Sequence, residues 1–360
     1  MKKNIKTVLS AVLLGALLTG CTTGGTAGGT AASTAPESAS EAASAVTETT
    51  EAAEDTSAES TEACDAAAGG EQYLVGICQL VQHDALDAAT QGFKDVLTET
   101  FGDAVTFDEQ NAAGDAATAT QICTNLVAEN ADLIMANATP ALQSAAAATA
   151  DIPILGTSVT EYGVALDIEG FDGTVGGNIS GTSDLAPLDQ QAQMVAELLP
   201  EAKTIGILYC SAEPNSKYQA DVVQAALEEM GLTVNIYTFA DSNDVASVTG
   251  EACANCDALY IPTDNTAASC TEAVNNVALP AETPIIAGEE GIMSGCGIAT
   301  LSINYYDLGR TTGEMAVRVL NGEDISTMPI EYFANPVKKY NPALCEQLGI
   351  TVPDDYTAAE

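Results

Sequence analysis

Short apolar runs alternate with segments of helical period along most of this chain. Tyr73-Leu74-Val75-Gly76-Ile77-Cys78 is a continuous apolar run of strand length, as expected of a buried strand. Asp84 is placed as a helix N-cap, with Leu86, Ala89, Phe93 and Leu97 following at helical spacing. That helix is predicted to stop at Phe101-Gly102, where glycine can take the left-handed cap conformation. A strand over 105–108, a helix over 116–129, a strand over 133–136 and a helix opening at Thr139-Pro140 continue the series, proline suiting a first turn. Strand–helix alternation of this kind predicts a parallel sheet covered on both faces.

The series then repeats. Ile205-Gly206-Ile207-Leu208 mirrors Val75-Gly76-Ile77, Glu229-Met230-Gly231 mirrors Thr100-Phe101-Gly102, and Asp257-Ala258-Leu259-Tyr260-Ile261 mirrors Asp132-Leu133-Ile134-Met135-Ala136. The expectation is an α/β protein of two similar doubly wound parallel-sheet lobes joined by hinge crossings. Residues 176–181 are expected to cross between the lobes and 297–303 to return. The lobes are expected to comprise 71–180 plus about 302–325, and 181–301 plus about 326–360. Ligands of open α/β sheets sit at the carboxyl ends of the strands, here facing a cleft between the lobes.

The N-terminus differs in kind. Lys2, Lys3 and Lys6 precede an apolar run that ends Leu18-Thr19-Gly20-Cys21. The run is too short to span a bilayer comfortably and suits a signal peptide over 1–20. Its end resembles the bacterial lipobox, which implies lipidation at Cys21 and a membrane anchor outside the cytoplasm. Residues 21–70 are almost entirely Thr, Ala, Ser, Gly and Glu, and carry nine acidic residues and no basic one after Cys21. Such a segment cannot bury enough apolar surface to fold and is expected to act as a tether with a reach of about 40 Å.

The chain has 51 acidic and 10 basic residues, a net charge of -41. That excludes nucleic acid and anionic membrane surfaces as partners. Ten cysteines are present, and Cys253-Ala-Asn-Cys256 is the one closely spaced pair; free thiols, a local disulfide, or metal or redox chemistry all fit its spacing. A nucleophile elbow, a P-loop and metal-ligand spacing are all lacking, and there is a single histidine. No enzymatic activity and no cofactor are therefore expected.

Several short motifs occur in a specific order: Gln79-Leu80-Val81-Gln82-His83, Gln110-Asn111-Ala112-Ala113-Gly114-Asp115, Ala138-Thr139-Pro140, Pro262-Thr263-Asp264-Asn265-Thr266 and Tyr305-Tyr306-Asp307-Leu308-Gly309-Arg310. Together they resemble the ABC-transporter substrate-binding proteins for tryptophan and tyrosine, from about residue 73 to 355. Glu289-Glu290 and the segment around Cys253 depart from that pattern. The resemblance implies a type I periplasmic-binding-protein fold, closure around an aromatic amino acid, and delivery to a permease and its ATPase. A lipid-anchored sensor, or a sugar-binding member of the same fold, would present similar lobes.

The candidate ligand-binding residues are Gln79, His83, Asn137, Thr139, Thr157, Ser158, Ser183, Asp184, Asp264, Asn265 and Tyr305. Most have an ordinary structural alternative as a cap, a turn or a hinge contact. Thr139 and Asp264 each lie seven residues after the aspartate that opens the third strand of their lobe. They are therefore expected to face each other across the cleft. Thr139, with a helix N-terminus, suits a carboxylate, and Asp264 suits an ammonium.

Overall fold

The structure, a computed structural model, describes residues 72–333 and 336–359. The expectations for 1–20, 21–70 and Cys21 lie outside the described residues. No helix among the described residues is long and apolar enough to cross a membrane.

The first sheet is built from β1 (Tyr73–Gln79), β2 (Val105–Asn111), β3 (Leu133–Asn137), β4 (Ile154–Val159) and β5 (Ile179–Ser183). These alternate with α1 (Asp84–Phe101), α2 (Ala116–Ala128), α3 (Thr139–Ala148) and α4 (Tyr162–Ala165). The second lobe repeats the path with β6 (Thr204–Cys210), β7 (Thr233–Phe239), β8 (Ala258–Ile261), β9 (Ile285–Ala287) and β10 (Ala299–Ser302). Its helices are α5 (Leu188–Leu198), α6 (Pro214–Glu229), α7 (Val245–Asn255), α8 (Asn265–Ala268), α9 (Thr271–Ala278) and α10 (Glu290–Cys296). The chain finishes with α11 (Tyr305–Leu320), β11 (Glu331–Tyr332), β12 (Val337–Tyr340), α12 (Pro342–Leu348) and β13 (Thr357–Ala358). The strand orders are β11-β5-β4-β3-β1-β2 and β13-β12-β10-β9-β8-β6-β7, so each sheet has the same doubly wound core. All pairings are parallel except β10 with β12.

The repeat extends to the anchoring of the strands. Asp132 precedes β3, and its carboxylate accepts Leu74 N at 2.7 Å. Asp257 precedes β8 and accepts Lys203 N and Thr204 N, both at 2.9 Å. In each lobe one aspartate thus ties the start of the first strand to the start of the third. Both sheets bury their apolar runs completely: Val75, Ile77, Leu133 and Met135 in one, Ile205, Ile207, Leu259 and Ile261 in the other. Burial on two faces is why these strands are continuous apolar runs rather than alternating ones.

The crossings differ from the sequence expectation. Residues 179–183 are the fifth strand of the first sheet, and the chain crosses only after Ser183. β5 is hard to recognise because it is polar: Ile179 is its single apolar residue, and its hydroxyls are satisfied inside the protein. Ser180 Oγ donates to Met328 O at 3.1 Å, and Thr157, Thr182 and Thr312 join their hydroxyls at 2.8 to 3.3 Å. Likewise 299–302 is strand β10, and the return crossing follows it. The last crossing comes later than residue 325, because Glu331 and Tyr332 pair with Thr182 and Ser183 of the first sheet. Asp84 is the first helical residue rather than the cap; His83 holds the N-cap position.

α11 is reached from the second sheet but packs on the first lobe. A Cβ on Gly309 would lie 1.9 Å from Ala89 O, and one on Gly92 2.2 Å from Tyr306 O. The backbones of α1 and α11 therefore touch, a contact that only glycine permits. Tyr306 Oη donates to Asp95 at 2.8 Å, and Arg310 donates to Glu99 through Nη1 and Nη2. In the second lobe, Gln191 of α5 donates to Gly288 O and Leu301 O and accepts from Tyr260 Oη. The first two crossings thus each deliver a helix that is bolted to the lobe it enters, and the last leads into strand β12.

Candidate functional site

The carboxyl edge of the first sheet carries the most unusual backbone in the cleft. Ala138, after β3, has φ 95°, and Ser158, in β4, has φ 53°. Neither is glycine, and such conformations cost about 1–3 kcal/mol each and cluster at functional sites. The β4–β5 register slips between Gly156 and Val159, beside Ser158. Thr139, Ser158 and Asp184 follow or end three adjacent strands. With neighbouring strands about 4.8 Å apart, they step along one edge within roughly 10 Å.

These three residues share a chemical condition. Thr139 is almost fully buried, and its hydroxyl makes no hydrogen bond among the described residues. Ser158 Oγ and Asp184 Oδ1 are buried without a hydrogen-bond partner among the described residues. Asp184 Oδ2 accepts Tyr305 Oη at 2.9 Å. Burial raises the Asp184 pKa, opposed first by that phenol and then by Thr160 and the residue's own backbone N–H. Asn137 Oδ1 is in the same condition, while its Nδ2 donates to Leu86 O at 2.9 Å and Thr90 Oγ1 at 3.0 Å. Buried polar groups are normally paired, so such a group calls for an explanation.

The other candidates are engaged with the protein itself. Gln79 donates to Val81 O and Asp87 and accepts from Thr90, which fixes the start of α1. Thr157 belongs to the hydroxyl triad with Thr182 and Thr312. Ser183 donates to Thr160 O and accepts Leu185 N, shaping the first crossing. Asp264 caps α8: Oδ1 accepts Ala267 N and Oδ2 accepts Cys210 N, both at 2.7 Å. Burial pushes its pKa up to about 8, with Glu213 adding to the effect. Thr139 and Asp264 therefore differ in more than charge: Thr139 keeps a free hydroxyl, whereas both Asp264 oxygens already hold backbone N–H groups. Cys253 and Cys256 are free thiols.

Two buried carboxylates are not among the candidate residues expected from the sequence, although Glu289 stands there as a departure from the family pattern. Glu213 occupies the N-cap position of α6, but its carboxylate reaches α8 and accepts from Asn265 N, Asn265 Nδ2, Thr266 N and Thr266 Oγ1. Glu289 caps α10 through Gly291 N and Ile292 N. Its pKa is raised to about 7, first by burial, with the Glu290 and Asp184 charges contributing. Glu213 lies 130 residues after His83, the same offset that relates Val75 to Ile205, so the internal repeat could have revealed it.

Residues of both lobes line two further spaces, neither of them lined by Asn137, Thr139, Ser158 or Asp184 themselves. A cavity of about 280 Å³ touches Asp84, Ala88, Glu289, Ile303, Tyr305 and Lys339. Another, of about 310 Å³, touches Val81, Asp115, Pro140, Cys210, Glu213 and Thr266. Volumes near 300 Å³ are at the lower end for small-molecule sites.

Two like α/β lobes closing on a polar cleft define a bilobal solute-binding protein of the type I periplasmic-binding-protein fold. The chain belongs to the ABC transporter substrate binding protein family, whose model matches residues 74–359. Members of this family work outside the cytoplasm. It is 38% identical over 265 residues to a tyrosine-binding protein of Clostridioides difficile, covering 72% of this chain and 76% of that one. It is similar to the ABC domain from Streptococcus pneumoniae crystallised with L-Trp, at 34% identity and a TM-score of 0.76, covering 79% and 97% of the two chains. A ligand-free, open substrate-binding protein with adhesive properties from Clostridium difficile matches at 35% identity, over 80% and 99%, with a TM-score of only 0.61. At nearly equal identity, the chain superposes better on the L-Trp complex than on the ligand-free, open structure.

The raised carboxyls set a pH dependence. Asp264 and Glu289 move from ordinary values of 3.8 and 4.5 to about 8 and about 7 on folding. The folded state then holds extra protons, so their stabilising contribution is full below the ordinary values and is lost as pH rises through about 7 to 8. The melting temperature of the ligand-free protein is expected to fall between about pH 6 and about pH 9, and to fall less steeply in Glu289→Gln. Thermal unfolding across that range checks it; a flat profile in the wild type would contradict it.

Proposed function

We propose that this chain captures an aromatic L-amino acid, tyrosine or tryptophan, in the inter-lobe cleft and delivers it to an ABC permease and its ATPase. The ligand class is supported by the tyrosine-binding relative and the L-Trp complex. The ammonium is assigned to Asp184, and this rests on one observation above the others: a buried carboxylate with an unpartnered oxygen, at the edge where the first lobe meets the crossing. The carboxylate is assigned to Thr139 and Ser158, together with the N-terminus of the ten-residue α3. Asn137, His83, Asn265 and Tyr305 surround the head group. Gln79, Thr157, Ser183 and Asp264 serve as the frame that holds these groups in place. The Asp184 assignment replaces the ammonium site that the repeat suggested at Asp264, whose oxygens are occupied by its own lobe.

We read Cys21 as the point of lipid attachment, which keeps the binding lobes near the permease at the end of the 21–70 tether. Incorporation of a labelled lipid precursor into the wild type, and its loss in Cys21→Ser, is the expected result; equal labelling of both would refute the anchor.

Titration calorimetry tests the site. L-Tryptophan or L-tyrosine is expected to bind, and ribose is not. Asp184→Asn is expected to weaken binding by at least about thirtyfold, since truncating one partner of a desolvated charge pair costs about 2–5 kcal/mol. Absence of binding by either amino acid would reject the ligand class. Unchanged affinity in the variant would reject Asp184 as the ammonium partner.

A further inference from the structure

His83 is the only histidine in the chain, and it holds the N-cap position of α1 without capping it through its side chain. Its Nε2 instead lies 3.4 Å from Asn265 Oδ1 of the second lobe. Asn265 is not free to turn. Its Nδ2 donates to Glu213 Oε2 at 2.6 Å and its backbone N to the same oxygen at 3.0 Å. An amide whose nitrogen faces a carboxylate must present its oxygen to the histidine, so Nε2 carries the proton. The other ring nitrogen, Nδ1, is buried and has no partner among the described residues. Protonating the ring would place a second N–H there with no acceptor, which is costly in a buried site.

Internal symmetry sharpens this arrangement. His83 and Glu213 occupy matching N-cap positions, of α1 in one lobe and α6 in the other. Asn265 bridges them, so the two equivalent helix starts meet across the cleft through one amide. We propose that His83, Asn265 and Glu213 form the closure latch of the cleft, and that the closed form accepts only the neutral, Nε2-protonated imidazole. His83 is thus a positioning residue: it acts on capture by setting how readily the lobes close, and a proton on its ring opposes closure. The charged groups facing the ring are Asp84 and Asp87 of α1 and Glu213 of the second lobe. They favour the imidazolium, but burial is the larger influence and lowers the His83 pKa below 6.5. The walls contributed nearby by α9 and α10, Thr271, Gly291, Ser294 and Gly295, add no charge.

The sign follows from linkage. A group whose pKa drops on closure weakens closure as pH falls below its open-state value, ordinarily 6.5. Excluding one such proton makes binding about tenfold weaker at about pH 5.5 than at about pH 7.5.

The proposal rests on the cleft being the amino-acid site described above, and the test separates the two. With a single histidine, imidazole nitrogen NMR of the untagged protein reads His83 alone. With L-tryptophan as the probe, the loaded protein is expected to show the Nε2–H tautomer, still neutral at a pH where the free protein is half protonated. Calorimetry is expected to show the tenfold loss in the wild type and its absence in His83→Gln, which keeps a donor but does not titrate. The same pH slope in both proteins, an Nδ1–H tautomer, or affinity that strengthens toward acid pH would overturn the latch. The last result would put Nδ1 on the ligand carboxylate. If neither L-tryptophan nor L-tyrosine binds at any pH, the ligand reading fails instead. The latch is then judged on the free protein, where Asn265→Ala must shift the His83 resonances; unchanged resonances overturn it.

Discussion

Folding these two acidic lobes buries carboxylates with no base to meet them, and the rest of the architecture answers that constraint. Among the described residues the buried charged side chains are Asp184, Glu213, Asp264 and Glu289, and none is a lysine or arginine. Three of the four are hydrogen-bonded by backbone N–H groups at helix starts, Glu213 at α8, Asp264 at α8 and Cys210, and Glu289 at α10, and burial favours a proton on Asp264 and Glu289 as well. All three accept backbone N–H donors of the second lobe, as a carboxylate at a helix N-terminus should. Asp184 is the exception. Its Oδ2 accepts the Tyr305 phenol, Thr160 and its own backbone N–H help to hold its charge, and Oδ1 has no hydrogen-bond partner within bonding geometry among the described residues. A cationic group brought by a ligand is the natural complement to such a residue, and on the proposed reading it is this complement that favours closure of the lobes.

This arrangement also explains why an overall charge of -41 does not describe the site. Most acidic side chains are exposed, where water and salt screen them. Specificity resides in which buried oxygens are already paired and which are not. Ser158 and Ala138 hold strained backbone at the sheet edge, and the strain is tolerated because strands on both sides fix it. On the proposed reading, a rigid edge of this sort would hold hydroxyls and helix N–H groups toward a ligand carboxylate with little reorganisation on binding.

Much of the fold was legible in the sequence because its strands are buried on both faces and read as apolar runs. The repeat gave the two lobes, and the Asp132 and Asp257 pair marked the same point in each. What escaped were elements whose stability is polar or non-local. β5 has one apolar side chain, and β11 is two residues long and exists only by pairing with β5. The site was partly legible. Strand-end positions such as Asn137, Thr139, Ser158 and Asp184 could be named, since ligands gather at that edge. Which oxygen of which residue stays free could not, because it depends on partners far away in sequence, such as Tyr305 for Asp184 at 121 residues and Cys210 for Asp264 at 54. Glu213 was missed because a glutamate before a helix looks like an ordinary cap, and Glu289 stood out only as a departure from the family pattern, with no role attached.

The central claim is that an ammonium at Asp184 lets the acidic lobes stay closed. Small-angle X-ray scattering on the protein, with and without L-tryptophan, tests it most directly. The account predicts a larger radius of gyration for the ligand-free protein, compaction on adding the amino acid, and no compaction in Asp184→Asn at the same ligand concentration. A ligand-free protein already as compact as the loaded one, or full compaction of the variant, would contradict it.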